Sequence, residues 1–186
     1  ISKHLIYMMG GQIAVDSQLG EGSTFSFILP VAISNKTLSD IVSPGKWQPD
    51  QTVLDSIAGA EILLVEDIDI NQELAHEILQ SWGLRVTIAN NGMEAINKLH
   101  DRDYDLVLMD IQMPELDGYK ATEQIRQQSG FEKLPIVAMT AHALEGDRER
   151  FIAAGMNDYV SKPIRLEVLF NTLARLIKPG HREMVN

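Results

Sequence analysis

Polar side chains that could do chemistry follow directly on four short apolar runs of the sequence. They are Glu66 and Asp67, then Asp110, then Thr140, and finally Ser161 and Lys162. If the runs are neighbouring strands of a parallel sheet, their carboxyl ends meet at one edge, where functional residues collect. We therefore expect these side chains to form a single site.

Three of these residues carry carboxylates, and a site that contains all three needs a compensating positive charge. Glu66, Asp67 and Asp110 would repel one another at contact distance, and a divalent cation removes that conflict. An all-oxygen donor set without Cys or His favours Mg²⁺, which binds one or two carboxylates together with water and phosphate oxygens. The chain has no cysteine, which excludes disulfides, thiolate nucleophiles and Cys-based metal sites.

The same group of side chains suits the transfer of a phosphoryl group. Lys162 would add a positive charge and Thr140 a hydroxyl donor, and with the metal they could stabilise the equatorial oxygens during transfer. A carboxylate at the centre is a competent nucleophile that would become an aspartyl phosphate. Asp110 fits this role best, because the strand before it should be central in the sheet.

Each residue taken singly also has a purely structural interpretation. Asp67 or Asp69 could cap the following helix. Thr140 could simply end a strand, and the Lys162–Pro163 pair could form a plain turn. Suitable residue types at four strand ends together are hard to obtain by chance, so the joint site is the preferred interpretation.

Alternating strands and helices over residues 60–178 must hold these side chains in place. Continuous apolar runs predict strands of a parallel sheet buried on both faces; the runs are 62–65, 86–89, 106–109, 136–139 and 159–160. Apolar residues at helical spacing follow each run and predict five helices: Leu74, Ile78 and Leu79; Ala95, Ile96 and Leu99; Ala121 and Ile125; Phe151 and Ile152; Leu166, Leu169, Leu173 and Leu176. This alternation predicts a doubly wound α/β domain.

The N-terminal part of the chain differs in character. In residues 1–33, apolar and polar residues alternate on both sides of a Gly-Glu-Gly turn, which predicts a β-hairpin. A segment of this length cannot build a core alone, so we expect an incomplete fragment of a larger domain. Residues 34–59 contain Ser, Pro and Gly with little periodicity and predict a linker, and residues 179–186 form a short tail.

Charge and hydropathy exclude some classes of partner. The formal net charge is −10, and a negative surface repels nucleic acid. No apolar run approaches the ~20 residues that cross a bilayer, so we expect a cytoplasmic fragment without membrane contact. The chain begins at Ile1 without a signal peptide, and we expect a piece of a longer protein whose other regions could anchor it to a membrane.

Four motifs occur in a specific order and spacing: ILLVED at 62–67, MDIQMPELDG at 109–118, AMTA at 138–141 and YVSKP at 159–163. Through them, residues 61–178 resemble the receiver domain of two-component response regulators. The resemblance implies a flavodoxin-like sheet with strand order 2-1-3-4-5. It also implies that Asp110 is phosphorylated and that Glu66, Asp67, Asp110 and the backbone carbonyl of Gln112 hold Mg²⁺.

The resemblance implies further roles around the phosphoryl group. Lys162 and Thr140 would contact it, and the Lys162–Pro163 peptide bond would be cis. Phosphorylation would draw Thr140 toward the new group and turn Tyr159 inward, although Tyr159 could equally be a core aromatic. Gln112 and His142 would tune the lifetime of the aspartyl phosphate, although His142 could be a solvated loop residue.

The N-terminal segment resembles the final stretch of a histidine-kinase ATP-binding domain. The matching residues are GGQIAVDS at 10–17 and GEGSTFSFILP at 20–30; within them Gly20, Gly22, Ser23 and Thr24 match the last glycine motif near the nucleotide phosphates. A glycine-rich hairpin turn is the structural alternative. The layout is that of a hybrid sensor histidine kinase, but the earlier glycine motifs and the dimerisation His segment are absent, so we expect no kinase activity from this chain.

Phosphorelay signalling is therefore the expected function. Asp110 would receive the phosphoryl group from a histidine kinase core, in cis or in trans, and pass it to a His on a His-phosphotransfer protein. An aspartyl-nucleophile phosphatase is the enzymatic alternative, but it would need a second Asp where Gln112 stands. A phosphorylation-independent binding module is the third reading, which the intact phosphorylation residues do not favour.

Overall fold

The computed structural model describes residues 2–20, 22–30, 47–141 and 147–178. The chain divides into two units, Ile1–Lys46 and Trp47–Asn186. Within the described ranges, no helix combines the length and the apolar character that crossing a membrane requires.

The first unit contains a short helix and a two-stranded sheet. Helix α1 spans Ser2–Met8, and strands β1 (Gln12–Gln18) and β2 (Gly22–Ile28) pair antiparallel, with Gln12 opposite Ile28. The predicted hairpin is confirmed. Its large apolar side chains Val15, Phe25 and Phe27 are each at least 60% exposed, so the hairpin leaves much of its apolar surface uncovered.

The second unit is built on a five-stranded parallel sheet. The strands are β3 (Glu61–Val65), β4 (Arg85–Ala89), β5 (Leu106–Asp110), β6 (Ile136–Thr140) and β7 (Asp158–Ser161). Their order in the sheet is β4-β3-β5-β6-β7, which confirms the predicted order 2-1-3-4-5. All residues of β5 and β6 are buried, because both faces of the sheet are covered, and this is why their sequences are continuously apolar.

Helices cover the two faces of the sheet. They are α3 (Asp69–Ser81), α4 (Gly92–Asp101), α5 (Gly118–Arg126), α6 (Asp147–Ala153) and α7 (Leu166–Leu176). Leu79 of α3 and Leu173 of α7 belong to the core on one face, while Ile125 of α5 and Phe151 of α6 belong to the core on the other. The doubly wound arrangement follows from these two separate cores.

Three residues that the helical spacing placed in the apolar pattern face solvent instead. Leu74 of α3 is 56% exposed, Ile152 of α6 is 48% exposed and Leu166, the first residue of α7, is 45% exposed. The buried positions of α3 are Gln72, Ala75 and Leu79, so a polar residue occupies one core-facing position. This buried polar residue is why the apolar spacing misassigned the inner face of α3.

A helix that the sequence did not predict lies inside the expected linker. Helix α2 spans Gln51–Ile57, and the Asp50 carboxylate caps it by accepting hydrogen bonds from the backbone N–H groups of Thr52 and Val53. Ile57 is 1% exposed within the core that contains Leu79 and Leu173. Residues 47–59 therefore belong to the second unit, because tertiary packing stabilises a helix too short for its periodicity to be recognised.

Candidate functional site

The carboxyl ends of the strands bring the acidic residues together. Asp110 is the last residue of β5, and Glu66 and Asp67 directly follow β3, which pairs with β5. One carboxylate oxygen from each of the three residues lies within 4.8 Å of the others. Glu66 and Asp110 are buried, so their charges interact through a medium of lower polarity than water.

Lys162 bridges two of the three carboxylates. Its Nζ donates hydrogen bonds to Glu66 Oε2 and Asp110 Oδ2, both at 2.6 Å. Burial alone would lower the pKa of Lys162, but the hydrogen bonds to Asp110 and Glu66 outweigh it and raise the pKa above its ordinary value. Lys162 is therefore a firmly protonated cation at neutral pH.

The backbone holds Lys162 at this position. Its N–H donates to the carbonyl oxygen of Thr140 at 2.7 Å, which links the ends of β6 and β7. The Lys162–Pro163 peptide bond is cis. The Thr140 side chain is buried at the end of β6, on the same edge of the sheet as Asp110.

Each Asp110 oxygen has its own partner. Oδ2 accepts from Lys162, and Oδ1 accepts from the backbone N–H of Gln112 at 3.1 Å. The side chain of Asp110 is almost fully buried, whereas that of Gln112 is exposed. Among the described residues, the exposed Gln112 thus lies next to the buried acceptor at the edge of the sheet.

Asp67 differs from its neighbours because one of its oxygens lacks a partner. Among the described residues, Asp67 Oδ1 is one of two buried side-chain oxygen or nitrogen atoms without a hydrogen bond. Neither Asp67 nor Asp69 caps the next helix: α3 begins at Asp69, and the residue at its N-cap, Ile68, makes no side-chain cap. The capping interpretation is wrong, and the orphaned oxygen needs another partner.

A divalent cation fits this donor set. Three carboxylates face a single ammonium group, so negative charge is in excess at the site. The donors are oxygens, the type that Mg²⁺ prefers, and Asp67 Oδ1 is a ligand atom with no competing hydrogen bond. Glu66, Asp67 and Asp110 could therefore hold such an ion.

Two amide side chains support Glu66 and were not predicted. Asn71 Nδ2 donates to Glu66 Oε1 at 2.8 Å. Gln72 Nε2 donates to the backbone carbonyl of Glu66 at 2.6 Å and to Asn90 Oδ1 at 2.9 Å. These amides fix the loop after β3. The one sequence signal for their role is that two amide residues, Asn71 and Gln72, stand together near the start of a helix with an apolar pattern.

Gly118 lets the start of α5 approach the backbone of Asp110 closely. A methyl group added at Gly118 would lie 2.2 Å from the carbonyl oxygen of Asp110 and 3.0 Å from the Ile111 Cα. The Gly118 N–H donates to the Ile111 carbonyl at 3.1 Å, which ties the start of α5 to the end of β5. A side chain here would therefore displace the backbone that carries Asp110.

We expect Gly118→Ala to lower the free energy of unfolding by about 2 kcal/mol. The added methyl group would press on backbone atoms, which cannot move aside as a flexible side chain could. Without the clash, alanine would stabilise the helix by up to about 1 kcal/mol. Glu123→Ala, at an exposed position of the same helix, is the control and should change stability by less than about 0.5 kcal/mol. Urea denaturation measures both, and equal stability of the two variants would contradict the proposed close approach.

The remaining predicted residues are Tyr159, His142 and the four residues of the nucleotide motif. Tyr159 is half-buried in β7, with its ring centroid 5.4 Å from that of Phe151. His142 lies outside the described residues. The four residues of the predicted nucleotide motif belong to the first unit; Gly20 and Gly22 have positive φ angles of 86° and 106°, Ser23 Oγ lies 2.7 Å from Ser17 Oγ, and Thr24 pairs with Asp16.

Comparison with known proteins identifies relatives of this chain. Residues 62–174 match the family described as the response regulator receiver domain. The sensor histidine kinase AruS of Pseudomonas aeruginosa is 34% identical over 178 residues, which is 95% of this chain and 17% of AruS. The chain thus spans a small part of that relative's length, and the similarity extends well beyond residues 62–174.

Two solved structures are similar in sequence and fold. The receiver domain of sensor histidine kinase PA1611 from Pseudomonas aeruginosa PAO1, solved with a magnesium ion in its active-site cleft, is 48% identical with a TM-score of 0.60; the match covers 64% of this chain and 98% of that chain. The co-crystal structure of the Saccharomyces cerevisiae histidine phosphotransfer protein Ypd1 with the Ssk1 receiver domain contains a chain that is 32% identical with a TM-score of 0.60. That match covers 64% of this chain and 90% of the other.

Proposed function

Because this chain belongs to the response regulator receiver family, we propose that its second unit accepts a phosphoryl group on Asp110 in a phosphorelay, with Mg²⁺ as the cofactor. The observation that carries the proposal is the convergence of three carboxylates, two of them bonded to Lys162, at one edge of the sheet. The magnesium ion in the active-site cleft of the PA1611 receiver domain supports the choice of cation.

The proposed reaction is an in-line transfer from a phospho-histidine. One Asp110 oxygen forms the new bond to phosphorus while the phosphorus–nitrogen bond breaks and its electron pair stays on the imidazole. Lys162 and Thr140 stabilise the charge on the phosphoryl oxygens. Glu66, Asp67, Asp110 and the Gln112 carbonyl are the proposed Mg²⁺ ligands, and the bound ion would neutralise the excess of carboxylate charge.

Further roles follow for the residues around the acceptor. Thr140 moves toward the new phosphoryl group and Tyr159 turns inward, so that a local change of charge biases a two-state element. The half-buried position of Tyr159 beside Phe151 supports this role, because a ring that is only partly covered can bury more of its surface by turning inward. Gln112, whose exposed side chain follows the acceptor, and His142 tune the lifetime of the aspartyl phosphate.

The first unit suggests the larger protein to which the chain belongs. We propose that residues 1–33 are the end of a histidine-kinase ATP-binding domain, followed by a linker and the receiver domain. The match to 95% of the chain in a sensor histidine kinase supports this layout, as does the exposed apolar side of the hairpin. The phosphoryl donor is then a kinase core, in cis or in trans, and the acceptor is a His-phosphotransfer protein.

Phosphorylation by a small acyl phosphate tests the central proposal. The chain incubated with Mg²⁺ and acetyl phosphate should gain the mass of one phosphoryl group, and EDTA should prevent the gain. Wild type that stays unmodified across several acyl phosphates and Mg²⁺ concentrations would contradict the proposal. Repeated turnover of a phosphate ester would instead favour the phosphatase alternative.

An exposed apolar patch beside the acidic site suggests where a phosphotransfer partner docks. Ile68, Ile70 and Leu74 are 49%, 68% and 56% exposed; Ile68 directly follows Asp67, and the other two lie in the first half of α3. Ile70 and Leu74 lie four residues apart on α3 and so share one face. Contact with this patch would exclude water around a histidine ring that approaches Asp110.

We expect Leu74→Asp to slow phosphoryl transfer from a phosphorylated His-phosphotransfer protein by at least about tenfold, since a charge would enter an apolar contact. Labelling by acetyl phosphate should stay unchanged, because Asp110 and Lys162 are untouched. The matched control is Ile152→Asp, a similarly exposed apolar residue on α6. Equal losses of transfer for both variants would show that the patch has no special role.

A further inference from the structure

The segment that precedes the sheet is docked on the receiver domain by an aromatic cluster. Trp47 packs edge to face against Phe170 of α7, with ring centroids 5.2 Å apart, and against Trp82 at the end of α3, with centroids 6.3 Å apart. Trp82 and Phe170 also contact each other at 5.2 Å. Residues 47–58, which we name the strap, thus bridge the last helix and the first helix after β3.

The strap is fixed at its C-terminal end and only partly buried along the rest of its length. Ile57 is fully buried, and the N–H of Gly59 donates to the Gly83 carbonyl at 2.7 Å, so the C-terminal end is fixed. Trp47, Val53 and Leu54 are only partly buried. A seven-residue helix has little stability of its own, so the docked state of the strap depends on the position of α7.

The position of α7 is in turn connected to the acidic site. The Lys162 ammonium group donates hydrogen bonds to Glu66 and Asp110. Only a short turn that contains Ile164 separates Lys162 from the start of α7. Ile164 packs on the same core as Phe170. A change in the hydrogen-bond partners of Lys162 can therefore shift, through this turn, the Phe170 ring against which Trp47 packs.

We propose that the strap is a relay between the acidic site and the chain that precedes residue 47. It docks while Asp110 is unmodified and loosens when Asp110 is phosphorylated. This inference rests on the proposed function. The proposed direction rests on one observation: the docked strap occurs together with Lys162 bonded to the Asp110 carboxylate, and a phosphoryl group would compete for that ammonium.

Tryptophan fluorescence of the full chain tests the relay. The chain has two tryptophans, so Trp82→Phe leaves Trp47 as the one reporter while keeping an aromatic ring in the cluster. With Mg²⁺ and acetyl phosphate, acrylamide quenching of Trp47 should increase by about twofold or more as the docked population falls. Intact mass is measured on the same sample, and Asp110→Asn in the same background should show no change in quenching.

The mass and the quenching separate the two proposals. An added phosphoryl group without a change in quenching would overturn the relay and leave the proposed function standing. No added phosphoryl group in wild type would overturn the proposed function and the relay with it.

A reciprocal measurement keeps the relay testable if Trp82→Phe does not fold. Coupling between two sites must work in both directions, so loss of strap docking should favour the phosphorylated arrangement. We expect Trp47→Ala to bind beryllofluoride with Mg²⁺ roughly fivefold more tightly than wild type. Trp47→Phe retains an aromatic ring and should behave like wild type. Equal affinities for the Ala and Phe variants would overturn the relay.

Discussion

Asp110→Asn is expected to abolish phosphorylation by acetyl phosphate, with a rate at least about a thousandfold below that of wild type, because the variant lacks the nucleophile of the covalent step. Asparagine has nearly the same shape, and its one amide oxygen can still accept a hydrogen bond from either Lys162 or the Gln112 N–H. Lys162 also keeps its 2.6 Å hydrogen bond to Glu66. The loss of labelling should therefore occur in a folded protein, as circular dichroism would verify.

A second carboxylate on the same stretch of chain provides the control. Asp103 is exposed and lies before β5, at the end of the strand opposite to Asp110. Asp103→Asn removes the same charge and should be labelled at the wild-type rate. Full labelling of Asp110→Asn, or equal loss in both variants, would show that the acceptor lies elsewhere.

The strand ends could be predicted because their signal is local. In β3 and β5, a run of apolar residues stops at Glu66 and at Asp110, and burial on both faces of a parallel sheet is what makes the runs continuous. The topology then brings these residues together, because neighbouring parallel strands end at the same edge of the sheet. Residues far apart in sequence thus could be placed in one site without any knowledge of their side-chain contacts.

The supporting amides could not be predicted, because their roles depend on tertiary contacts. Gln72 sits at a core-facing position of α3, where periodicity predicts an apolar residue, and it is buried because it bonds the Glu66 carbonyl and Asn90. Because the polar Gln72 occupies an inward-facing position, the apolar spacing along α3 pointed to the exposed Leu74 as a core residue. Helical periodicity reports hydrophobicity and cannot recognise a buried polar group that is satisfied by its neighbours.

The strap was missed for a related reason. Helix α2 is seven residues long, and its sequence neighbours are rich in turn-forming residues, so the segment reads as linker. What orders it is contact between Trp47 and two rings, Trp82 and Phe170, that lie far along the chain. Local propensity carries no information about such contacts.

Asp67→Asn is expected to separate metal binding from stability by changing them in opposite directions. The affinity for Mg²⁺ should fall by about a hundredfold or more, since even residues that only orient metal ligands cost ten- to a hundredfold when replaced. In EDTA the variant should be more stable than wild type by about 0.5–1 kcal/mol. The reason is that the substitution removes one of three clustered negative charges and supplies an NH2 group that can donate to a neighbouring carboxylate.

Isothermal titration with Mg²⁺ and denaturation in EDTA measure the two effects on the same samples. Asp69→Asn is the matched control: it removes a charge two residues away, from the exposed first turn of α3, and should leave Mg²⁺ affinity within about twofold of wild type. Without metal it should lose a few tenths of a kcal/mol, because a negative charge near a helix N-terminus is favourable. If Asp67→Asn instead lowered stability in EDTA and left Mg²⁺ affinity intact, Asp67 would be a structural residue and not a metal ligand.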